Sequence, residues 1–373
     1  MVRFLHTADL QLGMPFRWAE DRAAALSARR EESLSELAKL ASDQEADFVV
    51  VAGDFFDSNT VDDRVVVRAC KRLEEFDVPL FILPGNHDAC GSPDSIFQRS
   101  KFLRSKPDNV FILDKAEPYV LPGGKVVLLP APLLYRHSAA DPTTHLTPGF
   151  GREEAPEAIR IGLAHGGTID FGSSDNVIAD NRATRAELDY LALGDWHGLK
   201  QIDERTWYSG TPEPTGFKDN NPGYALIVEI DEPGALPDVR PVKTAKTDWR
   251  RQEMTLQESQ DLERLAAWFD ELPRPLDTLV RLEYGGSLSF EEIRRLEEEI
   301  LSDAKDRLLY LRLRPQGLIP KASPDELDAM IADGFVGATV RKLQEKMNGQ
   351  SEESATAAHS LQILHRLMHL GGQ

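Results

Sequence analysis

The stretch that decides the fold is residues 47–57, which read Asp47-Phe48-Val49-Val50-Val51-Ala52-Gly53-Asp54-Phe55-Phe56-Asp57. Its first part, Asp47–Val51, is a short and nearly continuous apolar run, which is typical of a strand buried on both faces of a sheet. Gly53 lets the backbone turn sharply where this strand ends, and Asp54 places a carboxylate at the turn. The stretch therefore predicts an α/β fold whose site is made by loops at strand ends.

Strands and helices alternate in the same way over residues 1–250. Helical patterns at Asp21–Ser42, Arg64–Phe76 and Asp94–Ser105 lie between short apolar runs. The other predicted strands are Val2–Thr7, Leu80–Leu83, Val110–Ile112, Lys125–Leu129, Ile159–Ala164, Tyr190–Leu193, Thr206–Ser209 and Gly223–Ile230. We expect a first domain over residues 1–240.

A smaller unit follows the turn-rich connection 231–237. We expect strands at Arg251–Met254, Thr278–Tyr284 and Leu308–Arg314, with two intervening helices that start at the capping boxes Thr255/Glu258 and Ser289/Glu292. This βαβαβ pattern predicts an accessory domain over residues 250–316.

The end of the chain has a helical pattern. Ser323-Pro324-Asp325-Glu326 is typical of a helix start, and the helix that begins there should continue to about Met347. Ala355–Leu370 is predicted to be an amphipathic helix with Leu361, Leu364, Leu367 and Met368 on one side. These helices predict a C-terminal arm over residues 320–373.

Composition limits the class of protein. The chain has 373 residues and no apolar run long enough for a transmembrane helix, so no membrane association is expected. The N-terminus has no signal-peptide pattern, and the two cysteines, Cys70 and Cys90, exclude a disulfide framework. We therefore expect a cytoplasmic protein with reduced thiols.

The net charge of −19 bears on nucleic-acid binding. Proteins that grip DNA by themselves usually present a basic face, because phosphate neutralisation supplies most of the non-specific affinity. A role on DNA would here depend on bound metals, a local basic patch or a basic partner. The residues Phe16, Arg17, Trp18, Arg22, Arg29 and Arg30 form either such a DNA-contacting edge or an ordinary exposed helix start.

Five segments at predicted strand ends concentrate residues that bind metals. Each combines carboxylate, amide or imidazole side chains with a nearby strand, and these groups are ligands that Mn²⁺, Fe²⁺ or Zn²⁺ accept. One segment alone would be weak evidence, but five in succession predict a metal site. The segments are Asp9-Leu10-Gln11, Gly53–Asp57, Gly85-Asn86-His87-Asp88, Ala164-His165-Gly166-Gly167 and Gly194-Asp195-Trp196-His197-Gly198.

This pattern resembles the calcineurin-like metallophosphoesterases and, among them, the nuclease subunit of SbcCD-type complexes. The resemblance covers about residues 1–230 and implies a four-layer α/β/β/α sandwich. It extends more vaguely to a small α+β capping domain at 250–316 and to a helical arm that binds an SMC-like coiled-coil ATPase. It also implies a DNA exonuclease or endonuclease of double-strand-break repair, and it is compatible with a homodimer.

The resemblance implies a role for each site residue. Asp54 would bridge two divalent metal ions. His87 would lie against the scissile phosphate as general acid, and Asp88 would lie behind the ligands and orient His87. The first metal would be held by Asp9, Gln11 and His197, and the second by Asn86, His165 and Asp195.

Two positions depart from the family pattern. Gln11 stands where an imidazole is usual, and Asp195 replaces another imidazole. The harder donors favour Mn²⁺, with Mg²⁺ and Fe²⁺ as alternatives, and predict weak occupancy of the first position. Two other functions stay open: a phosphoesterase for small substrates such as cyclic nucleotides, and an interaction subunit whose catalysis is weakened or lost.

Overall fold

The computed structural model describes residues 1–168, 175–218, 220–321, 335–347 and 352–370. The chain forms two compact units, Met1–Thr247 and Asp248–Gln373. All five segments with candidate metal ligands belong to the first unit.

The strands of the first unit include all nine that the sequence predicts, with ends that differ by one or two residues. They are β1 Val2–Thr7, β2 Phe48–Ala52, β3 Leu80–Leu83, β4 Val110–Ile112, β5 Tyr119–Val120, β6 Val126–Ala131, β7 Ile159–His165, β8 Tyr190–Gly194, β9 Lys200–Gln201, β10 Thr206–Tyr208, β11 Tyr224–Ile230 and β12 Asp238–Lys243. Strands β5 and β9 have two residues each, too few for a periodic pattern. Strand β12 is a largely exposed edge strand with a proline, so it lacks the apolar signal.

These strands form two six-stranded sheets. The first has the order β12-β11-β1-β2-β3-β4, in which β1 to β4 run parallel and β11 is antiparallel to both of its neighbours. The second has the order β5-β6-β7-β8-β10-β9, with a parallel centre from β6 to β10. Parallel neighbours end at the same edge of a sheet, which collects the loops after β1, β2 and β3 and those after β7 and β8.

The helices of the first unit are α1 Ala23–Asp43, α2 Asp63–Leu73, α3 Ser100–Ser105 and α4 Arg182–Arg185, with 3₁₀ turns at Arg17–Arg22 and Ile96–Gln98. The predicted single helix Asp94–Ser105 is therefore wrong. Arg99 between the two pieces has an extended backbone (φ −65°, ψ 132°), which interrupts the helical hydrogen bonds.

Alternating side chains place the two sheets face to face. Phe4 of β1 packs on Tyr190 of β8 with ring centroids 5.5 Å apart, within a buried cluster to which both sheets contribute. The next residue, Leu5, points to the opposite face and joins the cluster that includes Leu34 and Leu37 of α1. A further cluster covers the outer face of the second sheet. This arrangement confirms the predicted α/β/β/α sandwich.

The second unit contains a three-stranded parallel sheet of β13 Asp248–Leu256, β14 Thr278–Leu288 and β15 Tyr310–Pro320. Its helices are α5 Ser259–Asp270, α6 Phe290–Arg295 and α7 Leu301–Arg307, with a π-helical turn at Leu296–Ile300. The capping box of α6 at Ser289 and Glu292 is confirmed. The box predicted at Thr255/Glu258 is wrong, because Thr255 still belongs to β13 and the box is formed by Glu258 and Asp261.

Two helices, Phe335–Met347 and Glu352–Leu370, end the described chain. The helix start predicted at 323–326 lies outside the described residues. Leu361 is buried with Phe290 and Val340, whereas Leu367 is 59% exposed, so the predicted apolar side is only partly covered within this unit. Among the described residues, no helix is both long enough and apolar enough to cross a membrane.

Candidate metal centre

The loops after five strands converge at one place in the first unit. Three of the predicted ligands, Asp9, Asp54 and His165, are buried, and each offers a ligand atom that lies within 4.8 Å of those of the other two. The strands that precede them are β1, β2 and β7, so both sheets contribute to the cluster. A buried group of two carboxylates and an imidazole can hold a divalent cation.

The loops after β1 and β2 are locked together through their backbones. The amides of Asp9, Gln11 and Leu12 donate to the carbonyls of Gly53, Asp54 and Phe55 at 3.1, 2.8 and 3.0 Å, respectively. Asp9, Gln11 and Asp54 all have left-handed backbones, with φ of 54°, 45° and 52°. Such angles cost free energy in residues other than glycine, and they concentrate at functional sites.

Two glycines keep space open for the ligands. A Cβ at Gly53, which has a φ of +95°, would lie 2.1 Å from Nδ1 of His165. A Cβ at Gly85 would lie 2.2 Å from Oδ1 of Asp54. The glycines predicted to allow sharp turns thus also allow close approach of these two ligands.

The ring of His165 is held in one orientation. Its Nδ1 lies 2.9 Å from the carbonyl oxygen of Ala52, which can only accept, so Nδ1 carries a proton. Its Nε2 lies 3.0 Å from Oδ1 of Asn86, 3.4 Å from Oδ1 of Asp54 and 3.9 Å from Oδ1 of Asp195. The second set of predicted ligands therefore surrounds this one nitrogen.

The charges around this nitrogen fit a bound cation. In the neutral ring, the lone pair of Nε2 would face oxygen lone pairs, and either a proton or a metal ion would relieve that repulsion. Burial lowers the pKa of His165, but Asp54, Asp9 and Asp195 outweigh it and raise the pKa well above its usual value. Burial also raises the pKa of Asp9 well above the ordinary range. A divalent cation would compensate these buried carboxylates.

Gln11 and His197 lie together at the other side of the cluster, with Nε2 of Gln11 3.3 Å from Nε2 of His197. Nδ1 of His197 is 2.7 Å from the hydroxyl oxygen of Thr215, which orients the ring. Burial, followed by the charge of Arg30, lowers the pKa of His197 to about 4. The ring is therefore neutral at pH 7, as a metal ligand must be.

His87 lies at the solvent-facing edge of the cluster, and its side chain is 25% exposed. Nδ1 donates to the carbonyl oxygen of Asp57 at 2.7 Å, and Nε2 is 4.0 Å from Oδ2 of Asp54. The amide of His87 donates to Oδ1 of Asp54 at 2.9 Å. The ring thus has a fixed orientation beside the predicted ligands and faces solvent.

Asp88 occupies a different position from the one expected. Its carboxylate accepts from the amide of Gly85 at 2.7 Å and from the amide of Phe56 at 3.0 Å, and it is fully buried. The His87 ring bonds instead to the carbonyl of Asp57. Asp88 therefore ties the loop after β3 to the loop after β2, and it affects the site through the backbone.

Arg30 contributes to the site although the sequence suggests it only for a DNA-contacting edge. It is 2% exposed, which excludes that edge, and it donates to the carbonyl of Asp9 at 3.1 Å and to the carbonyl of Glu213 at 2.9 Å. Burial lowers its pKa to about 10. The available signal is its position on the apolar side of α1, four residues after Leu26 and four before Leu34.

The comparisons with known proteins agree with this architecture. The family model described as calcineurin-like phosphoesterase matches residues 2–229. This chain belongs to that family, which confirms the predicted class of metal-dependent phosphoesterase. Members of the family use divalent metals, and the cluster described above provides groups that can bind them.

Several relatives are named as nucleases or repair proteins. The chain is 25% identical to the SbcCD nuclease's SbcD-type subunit from Bacillus subtilis, over 80% of this chain and 83% of that protein. It is 27% identical to the Escherichia coli K12 protein of the same name, over 58% and 62%. It is also 27% identical to "DNA double-strand break repair protein Mre11" of Saccharolobus solfataricus, over 35% of this chain and only 33% of that relative.

Proposed function

We propose that this chain is a two-metal phosphodiesterase that cleaves DNA in double-strand-break repair, as the nuclease subunit of a complex with an SMC-like coiled-coil ATPase. The observation that carries the proposal is the buried cluster of Asp9, Asp54 and His165 at the meeting point of two sheets. Family membership supports phosphoester chemistry. The names of the relatives support DNA as the substrate class.

The ligands divide into two sets that share Asp54. Asp9, Gln11 and His197 would hold the first ion, and the closeness of the Gln11 and His197 side chains supports this set. Asn86, His165 and Asp195 would hold the second ion, and their oxygens gather around Nε2 of His165. The excess of oxygen donors supports Mn²⁺ over Zn²⁺, with Mg²⁺ and Fe²⁺ as alternatives.

When bound, two divalent ions supply polarisation of the phosphodiester and a lowered pKa for an attacking water. The protein supplies the proton for the leaving group. His87 keeps a proton on Nδ1, where it donates to the Asp57 carbonyl, so Nε2 is the atom that faces the site. In its imidazolium form the ring can pass the Nε2 proton to the leaving oxygen.

The test compares wild type with His87→Ala on linear duplex and single-stranded DNA in Mn²⁺. We expect wild type to cleave DNA and the variant to lose about 10²- to 10⁴-fold in rate, since general acid catalysis contributes that much. Because His87 is not assigned as a ligand, calorimetry should give the same Mn²⁺ stoichiometry for both proteins.

Three results would contradict parts of this proposal. Turnover of bis-p-nitrophenyl phosphate without any DNA cleavage would favour a small-substrate phosphoesterase. Absence of turnover on every substrate would favour an interaction subunit. Two equally tight Zn²⁺ sites would overturn the assignment of Mn²⁺ and of a weak first position.

The partner proposal assigns residues 250–316 to a capping domain and residues 320–373 to an arm that binds the ATPase. The exposed apolar side chains Ile363 (48%) and Leu367 (59%) on the last helix support a docking role. Co-purification with an SMC-like ATPase from the same genome should succeed with the full chain and fail for a chain ending at residue 320. Equal recovery of both chains would contradict the assignment.

A further inference from the structure

A short segment beside the candidate metal centre presents an aromatic and a cationic side chain to solvent. The segment Leu134–His137 follows β6, which pairs with the strand that ends at His165. Tyr135 is 66% exposed, and Arg136 and His137 are also exposed. Exposed tyrosine next to arginine is a combination that suits stacking on a base and binding of a phosphate.

The backbone of this segment is anchored to the loop that carries Asn86 and His87. The amide of Leu133 donates to the carbonyl of Pro84 at 3.2 Å. In return, the amides of Cys90 and Gly91 donate to the carbonyls of Leu133 and Leu134 at 3.0 and 2.9 Å. Tyr135 therefore begins one residue after a point fixed against the loop of the proposed general acid.

The other end is anchored near His165. The amide of Asn176 donates to the carbonyl of Ser138 at 2.7 Å, and its side-chain Nδ2 donates to the carbonyl of Arg136 at 3.1 Å. The carbonyl oxygen of Asn176 lies 2.0 Å from where a Cβ of Gly166 would be, so Asn176 itself is held against the residue that follows His165. The exposed pair is thus held between two loops of the site.

The charge of Arg136 reaches the site. Within the described residues its guanidinium makes no hydrogen bond or ion pair, and its charge, together with those of His87 and Arg30, opposes the burial that raises the pKa of Asp57. In a chain with a net charge of −19, a cation with this placement can attract a phosphate locally.

We propose that Tyr135 and Arg136 hold the nucleotide that flanks the scissile phosphate, with the Tyr135 ring against its base and Arg136 on its phosphate. This inference rests on the proposed function and narrows its substrate class. A base can lie on Tyr135 only when it is unstacked, so the site selects single-stranded or frayed DNA over intact duplex.

The test uses the full chain with Mn²⁺ and compares Tyr135→Ala, Tyr135→Phe and Arg136→Ala with the control Arg64→Ala. Arg64 is an exposed arginine on α2. Substrates are a single-stranded oligonucleotide, the same strand with abasic nucleotides, and methyl p-nitrophenyl phosphate, which has neither a base nor a second phosphate. Binding of both strands is measured by fluorescence anisotropy.

We expect Tyr135→Ala to lower kcat/KM on the normal strand about tenfold, while Tyr135→Phe stays near wild type because it keeps the ring. The loss should disappear on the abasic strand. Arg136→Ala should weaken both strands about equally and lower the salt dependence of binding by about one phosphate contact. All variants should hydrolyse methyl p-nitrophenyl phosphate at the wild-type rate.

Equal loss for Tyr135→Ala on normal and abasic strands would overturn the stacking role, and equal loss on the small substrate would indicate a distorted site instead. Wild-type activity of Tyr135→Ala and Arg136→Ala on DNA would overturn this inference and leave the proposed function intact. A wild-type protein that neither binds nor cleaves either strand would overturn both. A loss confined to ATPase binding would reassign the pair to a protein contact.

Discussion

Replacement of Gly85 by alanine should displace the bridging carboxylate of Asp54. A Cβ at position 85 would lie 2.2 Å from Oδ1 of Asp54 and 2.4 Å from its backbone nitrogen, whereas ordinary contact begins at 3.4 Å. Neither contact can be relieved by turning a flexible side-chain end, because one atom is backbone and the other belongs to a buried carboxylate that accepts from the amide of His87. Either Asp54 or the loop of Gly85 must therefore move by about 1 Å.

A movement of this size should reduce catalysis strongly. Misplacement of a reacting group by about 1 Å can cost roughly 10²-fold in rate. This factor corresponds to about 2.7 kcal/mol in the activation free energy. Overpacking also costs typically 1–3 kcal/mol in stability, so the variant should remain folded but melt at a lower temperature.

The assay is hydrolysis of bis-p-nitrophenyl phosphate in Mn²⁺, with calorimetric titration of Mn²⁺ and thermal melting followed by circular dichroism. The matched control is Gly149→Ala, because a Cβ at that position would meet no atom within 4 Å. We expect the control to keep wild-type rate and affinity, and Gly85→Ala to lose about 10²-fold in kcat/KM and to bind Mn²⁺ more weakly.

The refuting result is clear for this pair of variants. If Gly85→Ala stays within twofold of Gly149→Ala in both rate and Mn²⁺ affinity, Asp54 is not held against Gly85 as the site geometry requires. Two proteins with equal activity would also remove Asp54 as the ion-bridging ligand.

Three further predictions concern stability and metal choice. Arg30→Met should lower the free energy of unfolding in urea by roughly 3–5 kcal/mol, because it leaves buried oxygens, including the Glu213 carbonyl, without their cationic donor; a loss below 1 kcal/mol would contradict this. Burial raises the pKa of Asp141, but Thr143 and Arg182 outweigh it and lower the pKa overall. Asp141→Asn should therefore destabilise the protein at pH 7, and the difference from wild type should shrink as urea unfolding is measured below about pH 4. Asp195→His should shift the metal preference from Mn²⁺ towards Zn²⁺ in competition calorimetry, and an unchanged preference would argue that this side chain is not a ligand.

The strands were predictable because their signal is local. Runs such as Phe48–Ala52 and Leu80–Leu83 are apolar at every position, and this pattern needs no knowledge of what covers them. Predictions failed where the signal depends on neighbours. Strand β12 is an exposed edge strand recognisable only through its pairing with β11, and Arg99 interrupts a helix that its sequence would allow.

The residue types of the candidate site were also readable from the sequence, because each follows a strand in a segment with glycine. Their detailed contacts were not readable. The expected link from Asp88 to His87 is replaced by bonds from Asp88 to two backbone amides, which depend on how two loops lie against each other. Arg30 gave only a weak signal, since an arginine in a helix is usually exposed.

The sequence by itself determined the class of this protein: an α/β chain of the calcineurin-like phosphoesterase family with a set of metal-binding side chains at strand ends. Only the tertiary structure decided which of these side chains meet. Asp9 and Asp195, 186 residues apart, are joined by an amide-to-carboxylate hydrogen bond of 3.1 Å. The physical reason is that side-chain chemistry belongs to each residue, whereas proximity and burial arise only when two sheets pack face to face and their loops close around the same point.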